Sequence, residues 1–397
     1  MGKAALIMVM GLMVCFGLFG RALNRTSQAT TENVVGDYEQ TMVRNIASSG
    51  ASMALHYLGQ DIHWREGWTN RAMLGGTSTT VLEDEEDDAS LGRGVVRITS
   101  TATCGDRTDT TVVLWRRVPF SEYAYFTNVE SNIWFITGDT LAGPVHTNGT
   151  LHMYGSPVFQ GRVTSPNMWV SYPGYPATPQ FLGGSDFNHE AITLPISFDE
   201  IQSAAADGGL LFYQNAWLSF QPDGTVQYAY SASGPWTTVD LSTMNGAIWS
   251  TGDLHVEGTL DGRATVGAAG NVWIEDNIIY AADPRVGSSD DLLGIVSENQ
   301  VIVADNTANR NDCIIHASIM ALDKFTVEHY SSPPPRGTLS LLGGLIQDHR
   351  GPVGTFSYYG IYSGYQKNYQ YDGRMMSDVP PFFPLTTDEK EVVSWYE

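Results

Sequence analysis

The chain has 397 residues, 43 of them acidic and 21 basic, for a formal net charge of -22. So acidic a chain excludes a nucleic-acid partner, because phosphate binding needs a basic face; the charge suits solubility, high salt or cation binding without choosing among them. The 41 glycines, set among short β-branched and aromatic runs, predict a mainly β fold rather than a helical bundle.

From Ala4 to Gly20 no residue is charged, and Lys3 and Arg21 bracket the run. It is short for a membrane span, but flanking basic side chains snorkel and extend its reach. Leu6, Ile7, Val9, Met10, Leu12, Val14, Phe16, Leu18 and Phe19 are the expected membrane-facing or filament-facing surface. Beyond it no proline occurs between Ala22 and Leu58, and Val35, Tyr38, Met42, Ile46, Met53, Tyr57 and Leu58 recur at helical spacing. One helix over residues 1–60 therefore continues from membrane to exterior, which favours a retained anchor over a cleaved signal peptide. Ser27-Gln28-Ala29 is the best cleavage site for the opposing view, and Val14 disfavours a lipoprotein reading through Cys15.

Gly2-Lys3-Ala4-Ala5-Leu6-Ile7-Met8-Val9-Met10, followed by Arg44-Asn45-Ile46-Ala47-Ser48-Ser49-Gly50-Ala51, resembles the N-terminal helix of minor pilins of the PilX type. The resemblance implies a type IV pilus or pseudopilus subunit with a membrane anchor and pilin-like neighbours. Major pilins carry a glutamate at the fifth mature position, whereas the first acid here is Glu32. The remainder resembles an uncharacterised family of bacterial envelope proteins, in Gly143-Pro144-Val145-His146-Thr147-Asn148 and in Gly364-Tyr365-Gln366-Lys367-Asn368-Tyr369-Gln370-Tyr371-Asp372. That likeness implies a location, the cell envelope, and no activity.

Residues 61–120 read as an acidic loop and a hairpin that link the helix to the β-rich remainder of the chain. The run Glu83-Asp84-Glu85-Glu86-Asp87-Asp88 is expected to be a solvated loop, since it lacks the alternating carboxylates that wrap a calcium ion. Val95 to Ser100 and Thr110 to Trp115 alternate as paired strands about the turn Cys104-Gly105-Asp106.

Two later stretches repeat each other without a gap. Residues 143–155 and 246–258 share G-x-[VI]-x-[ST]-x-G-x-L-H-x-x-G, and both copies continue with Gly-Arg-x-Thr, at 161–164 and 262–265. Matched glycines with alternating apolar positions predict coils of a parallel β-solenoid, or β-helix, over 121–165 and 242–357. Val145, Thr147, Gly149, Leu151 and Met153 point inward, as do Ile248, Ser250, Gly252, Leu254 and Val256, while His152 and His255 face out. Between the copies, residues 166–241 read as an inserted subdomain. It holds a helix opened by Ser197-Phe198-Asp199-Glu200 and a hairpin of Ala216 to Phe220 with Thr225 to Tyr230, joined at Pro222-Asp223-Gly224. The tyrosine- and proline-rich segment 358–397 is expected to cap the last coil, with Pro380-Pro381-Phe382-Phe383-Pro384 as extended chain.

No G-x-S-x-G elbow, Walker loop or H-E-x-x-H helix occurs. His152 and His255 read as solvent-facing positions of a duplicated coil rather than as a metal site, so no cofactor or metal is expected. Arg162 and Arg263 with Asp253 or Glu257 offer the charges of a polysaccharide-cleaving solenoid, but a strongly negative field repels a polyanionic substrate, and no enzyme is expected. Trp169, Tyr172, Tyr175, Phe181, Phe187, Trp217 and Trp236 gather in or near the insertion, and Trp169, Tyr172, Tyr175, Trp217 and Trp236 are candidate contacts for a glycan or another subunit. An oxidising compartment would permit a Cys104–Cys313 disulfide. The expected function is a structural component of a bacterial surface appendage or pilus-like envelope assembly; the alternative is a membrane-anchored protein that binds, or cleaves, glycans.

Overall fold

The computed structural model describes residues 2–357 and 360–397. The fold is mainly β with one long helix, and its sheets mix parallel and antiparallel pairs. The chain forms two compact units: residues 1–91, 95–116 and 391–397, and residues 92–94 and 117–390.

In the first unit, helix α1 runs Gly2–Gln60 and would span roughly 90 Å at 1.5 Å per residue. The side chains it buries are Val43, Ile46, Ala47, Ala51, Ala54 and Leu58, with Gly50 among them. The expected stripe is thereby corrected. Val35 and Tyr38 are exposed, and the true seam is narrow because small residues let helix and sheet approach closely. Gly50 lies over the buried hydroxyls of Ser78, Thr80 and Ser100, and a Cβ there would collide with Ser100 Oγ. The sheet beneath orders as β1 (Trp68–Met73), β2 (Gly76–Glu83), β3 (Val95–Cys104), β4 (Arg107–Pro119) and the late strand Leu385–Tyr396. β3 and β4 pair antiparallel about Gly105-Asp106, as the alternation predicts. Residues 61–120 are thus no linker: they contribute four strands that bury α1. The acidic run is also less solvated than expected, since Asp84 pairs with Arg65 at 2.7 Å and Arg97 holds Glu83 at 2.8 Å and Asp88 at 2.9 Å.

The second unit is organised by one long parallel ladder. In spatial order its strands are Ser185–Asp186, Val163–Thr164, Val145–Thr147, Tyr125–Val129, Pro335–His349, Cys313–Ala321, Leu292–Ser297, Arg263–Ala268, Ala247–Ser250 and Leu210–Phe212. The chain enters this ladder in the middle. It runs outward from Tyr125 to Asp186, crosses to the far end, and returns from Leu210 until Leu345 lies beside Tyr125. The outward run forms a first wing (125–186) and the returning run a second wing (210–349). A second parallel ladder in the second wing joins Ala216–Phe220, Leu254–Leu260, Val272–Tyr280, Val301–Val303 and Phe325–Val327. In the first wing, shorter sheets join Phe135–Ile136, His152–Tyr154 and Val170–Ser171, and Thr140–Leu141, Val158–Phe159 and Gln180–Phe181. One apolar core runs through both wings, from Phe159 and Leu151 to Leu254, Ile295 and Leu341.

The repeat is explained by this geometry. Its first glycines, Gly143 and Gly246, and its last, Gly155 and Gly258, all have positive φ, from +72° to +110°, where a side chain is strained. The expected inward residues Val145, Leu151, Met153, Ile248, Leu254 and Val256 are buried. His146 and Trp249, on the other face, are buried too, because the crossing chain covers them.

The segment 166–241 pairs with the strands around it. Leu210–Phe212 and Ala216–Phe220 extend the two ladders, and Ala216–Phe220 also forms the expected hairpin with Thr225–Ala229. Helix α2 (Asp199–Ala206) lies on the crossing path; Phe198, not Ser197, is its N-cap, and Ser197 Oγ instead donates to Asp199 at 2.8 Å. Asn148 holds the crossing chain through both its amide atoms, accepting from Ile192 N at 2.9 Å and donating to Ile192 O at 2.7 Å. Ile192, Phe198, Ile201 and Ala205 then bury the outer face made by Phe126, Trp249, Val296, Met320 and Ile346.

The tail does more than cap a coil. Gly360–Gln370 joins the parallel pairing beside Pro335–His349, Phe383 is buried in the outer cluster, and Leu385–Tyr396 enters the first unit's sheet. Met1, Tyr358 and Tyr359 lie outside the described residues.

Candidate functional site

The first candidate surface is the N-terminal part of α1. Leu6, Ile7, Val9, Met10, Leu12, Val14, Phe16, Leu18 and Phe19 are all exposed, on every side of the helix. An apolar surface of that kind is stable only against lipid or other apolar chains. By length and composition the helix is able to cross a membrane.

The second comprises the repeat positions. The histidines do not come together; His255 is stacked between rings of adjacent strands, and His152 is tilted against one ring. His255 lies between Trp217, at 4.3 Å with planes 4° apart, and Trp273, at 6.1 Å, and its Nδ1 meets Glu275 Oε1 at 2.6 Å. That hydrogen bond, against the opposing effect of burial, lowers the Glu275 pKa. His152 packs on Trp134 at 4.9 Å. These rings are therefore half-buried packing elements, which corrects the solvent-facing reading. Among the described residues no group of three or more His, Cys, Asp or Glu side chains is arranged to hold a metal ion. Arg263 pairs with Asp378 rather than with Asp253 or Glu257, and Arg162 reaches Asp186 at 3.5 Å. Asp253 instead accepts from Asn271 N at 2.8 Å and Trp273 Nε1 at 3.2 Å. Cys104 and Cys313 are both free thiols.

The aromatics expected to gather are divided among separate places. Trp169 and Phe187 pack partly buried on the core, with Phe181 stacked on Phe159 at 5.3 Å. Trp217 is held by His255, and Trp236 sits apart on a loop. Only Tyr172 and Tyr175 form an exposed group, with partners that sequence reading missed: Tyr154, 5.7 and 5.8 Å away, and Trp134, 4.9 Å from Tyr172. The signal was there in the spacing, since positions 134, 154 and 172 are separated by about one coil length.

The third candidate lies where the wings meet. A cavity of about 310 Å³ is lined by Tyr125, Phe135, Asp139, Arg350, Lys367 and Tyr369. Arg350 is buried against Glu130 at 3.2 Å, donates to Ile133 O at 3.0 Å, and lies 4.0 Å over the Phe135 ring. Burial opposes its charge, but Tyr125 and Glu130 hold it firmly protonated. Desolvation and the Arg350 charge push the Lys367 ammonium down to about 8. The Tyr369 hydroxyl is buried with no hydrogen-bond partner among the described residues.

A family model described as a domain of unknown function (DUF4900) matches residues 96–167, a segment running from β3 through the first strands of the first wing. No curated protein matches the chain. Among solved structures the chain is similar to the crystal structure of the competence-associated pilin ComZ from Thermus thermophilus, with 12% identity and a TM-score of 0.35 over 90% of this chain and 96% of that one. So low a score carries no argument about fold or role.

Proposed function

We propose that the chain is a membrane-anchored, pilin-like structural subunit of a bacterial surface appendage or pseudopilus-like envelope assembly, and that its two wings are a β-solenoid displayed outside the membrane. One observation carries this reading: α1 is divided. Its later part buries Val43 to Leu58 against its own sheet, while its earlier part leaves Leu6 to Phe19 exposed, uncovered by any of the described residues. A mere tether needs only the span, whereas a helix that continues rigidly into a folded unit suits packing in a filament core. Sheared surface filaments from cells that express the chain should contain it. Leu12→Arg, which places a charge at mid-span at a cost of roughly 3 kcal/mol, should remove it from them. Recovery of the wild-type chain only in the membrane fraction, from cells with abundant filaments, rules the filament reading out and leaves an anchored envelope protein. Glycan binding, the alternative, has the exposed Tyr154, Tyr172 and Tyr175 group as its best surface.

A further inference from the structure

The charge of the second unit is unevenly distributed. Between residues 131 and 186 the Asp, Glu, Lys and Arg side chains are Asp139, Arg162 and Asp186, a net of -1, so nearly all of the net charge of -22 lies elsewhere in the chain. This stretch is the first wing beyond its opening strand. Among the described residues its last strands, Val170–Ser171, Gln180–Phe181 and Ser185–Asp186, each have one ladder register, with His152–Tyr154, Val158–Phe159 and Val163–Thr164 respectively. Around them Met168, Val170, Leu182, Tyr172 and Tyr175 are exposed, Leu182 at 67%. At the far end of the long ladder Leu210–Phe212 also pairs with one strand, Ala247–Ser250, but the outermost strand of the second ladder is covered. There Ala216–Phe220 is closed by Thr225–Ala229, which is in turn paired with Thr237–Asp240, and Val226 and Leu241 join the core beneath.

We propose that the free end of the first wing is a self-docking surface through which two copies of this chain associate end to end. Three features select a second copy as the occupant. Strand edges are satisfied by another polypeptide edge, and neither a sugar nor a lipid supplies a matching row of backbone donors and acceptors. The exposed aliphatic side chains Met168, Val170 and Leu182 call for an apolar partner surface, whereas a glycan would use only the rings. Two copies carrying -22 each repel wherever their acidic surfaces meet, and at this end, where Asp186 faces Arg162 at 3.5 Å, they approach with little of that penalty. A twofold contact makes the two ends self-complementary and closes the assembly at a dimer. None of the α1 surface takes part, so this contact stands apart from the filament reading.

The test uses the full chain in detergent, with sedimentation measured over a range of concentrations. The wild type should form dimers, and dimerisation should tighten as salt rises and screens the acidic surfaces. Val170→Glu and Leu182→Glu each put a charge in the contact and should weaken association roughly 100-fold. Val286→Glu, at a residue 87% exposed in the second wing, is the control and should dimerise like the wild type. All four chains should share one circular dichroism spectrum, as expected of substitutions at exposed positions. Leu12→Arg, the variant that tests the filament reading, should leave this dimer intact, so the two ideas fail separately. A wild type that stays monomeric at every concentration overturns the proposal. So does a dimer that survives Val170→Glu with Leu182→Glu, which would place the contact on α1 or elsewhere. Binding of neutral glycans or zwitterionic vesicles to this end by a chain that remains monomeric would also overturn it.

Discussion

His146 shows how the covering chain changes the chemistry of a single repeat position. Its ring is buried between Phe126, stacked at 5.1 Å, and Thr164, whose hydroxyl meets Nδ1 at 2.7 Å, while Nε2 meets Asn148 Oδ1 at 2.9 Å. Burial, opposed by the Asn148 hydrogen bond and reinforced by nearby His189, lowers its pKa from 6.5 to about 4. The unfolded imidazole takes up a proton near pH 6.5 and the native one does not, so the stability held by the neutral ring is complete above pH 6.5 and is lost as pH falls toward 4. Across that window the loss reaches about 3 kcal/mol. His146→Gln should flatten this part of the stability-against-pH curve, and parallel curves for variant and wild type would refute the assignment. His255 differs in kind, being half-buried, stacked between tryptophans and bonded to Glu275. His255→Ala should therefore cost about 1–2 kcal/mol, measured by denaturant unfolding, above the few tenths that a solvent-facing histidine would lose. The sequence alternation tells which way these side chains point; what lies over them is contributed by residues 18 to 43 positions away, which no local pattern reports.

At the scale of elements, the long helix, the β3–β4 pair and the repeated strands were legible because each is written in short-range periodicity and in glycines that need positive φ. Leu151 and Leu254 occupy matched places in the two copies and are both fully buried. Replacing either by Asp should bury a charge without a partner and destabilise the second unit by several kcal/mol, seen as a lowered unfolding midpoint. Equal tolerance of Asp at both positions would disprove their shared inward role. What was not legible was the partner of each element. β1 and β2 lie in a polar stretch read as a linker, yet their Ser78, Thr80 and Leu82 are buried under the helix, because hydroxyl side chains can face a seam of Ala and Gly. The strand Gly360–Gln370 was hidden by its tyrosine-rich composition, although Tyr365 is buried and its hydroxyl donates to Asn309 O.

Over the second unit as a whole, the order of strands in space departs from their order in the chain, and the departure concentrates at one seam. Tyr125–Val129 pairs with the later part of Pro335–His349, and beside it Glu130 meets Arg350 across 220 residues of sequence. Contacts of such separation form late in folding, because the loop must close before they contribute. At the seam the cavity and the buried ion pair sit beside the apolar core, which continues past them through Tyr125, Phe135 and Leu345. Arg350→Met would strand Glu130 as a buried, unpaired carboxylate, at a cost of roughly 3–5 kcal/mol. Pairing it with Glu130→Leu removes both charges and should recover most of that loss. Since the first wing is joined to the second here, the single variant should raise backbone hydrogen exchange across residues 135–186 well before the strands at 247–321 lose protection. Uniform loss of protection over both wings would show that they unfold as one body and that the seam is no weaker than the rest. Exchange unchanged in Arg350→Met would show that Glu130 finds water or another partner, and that the ion pair does not hold the wings together.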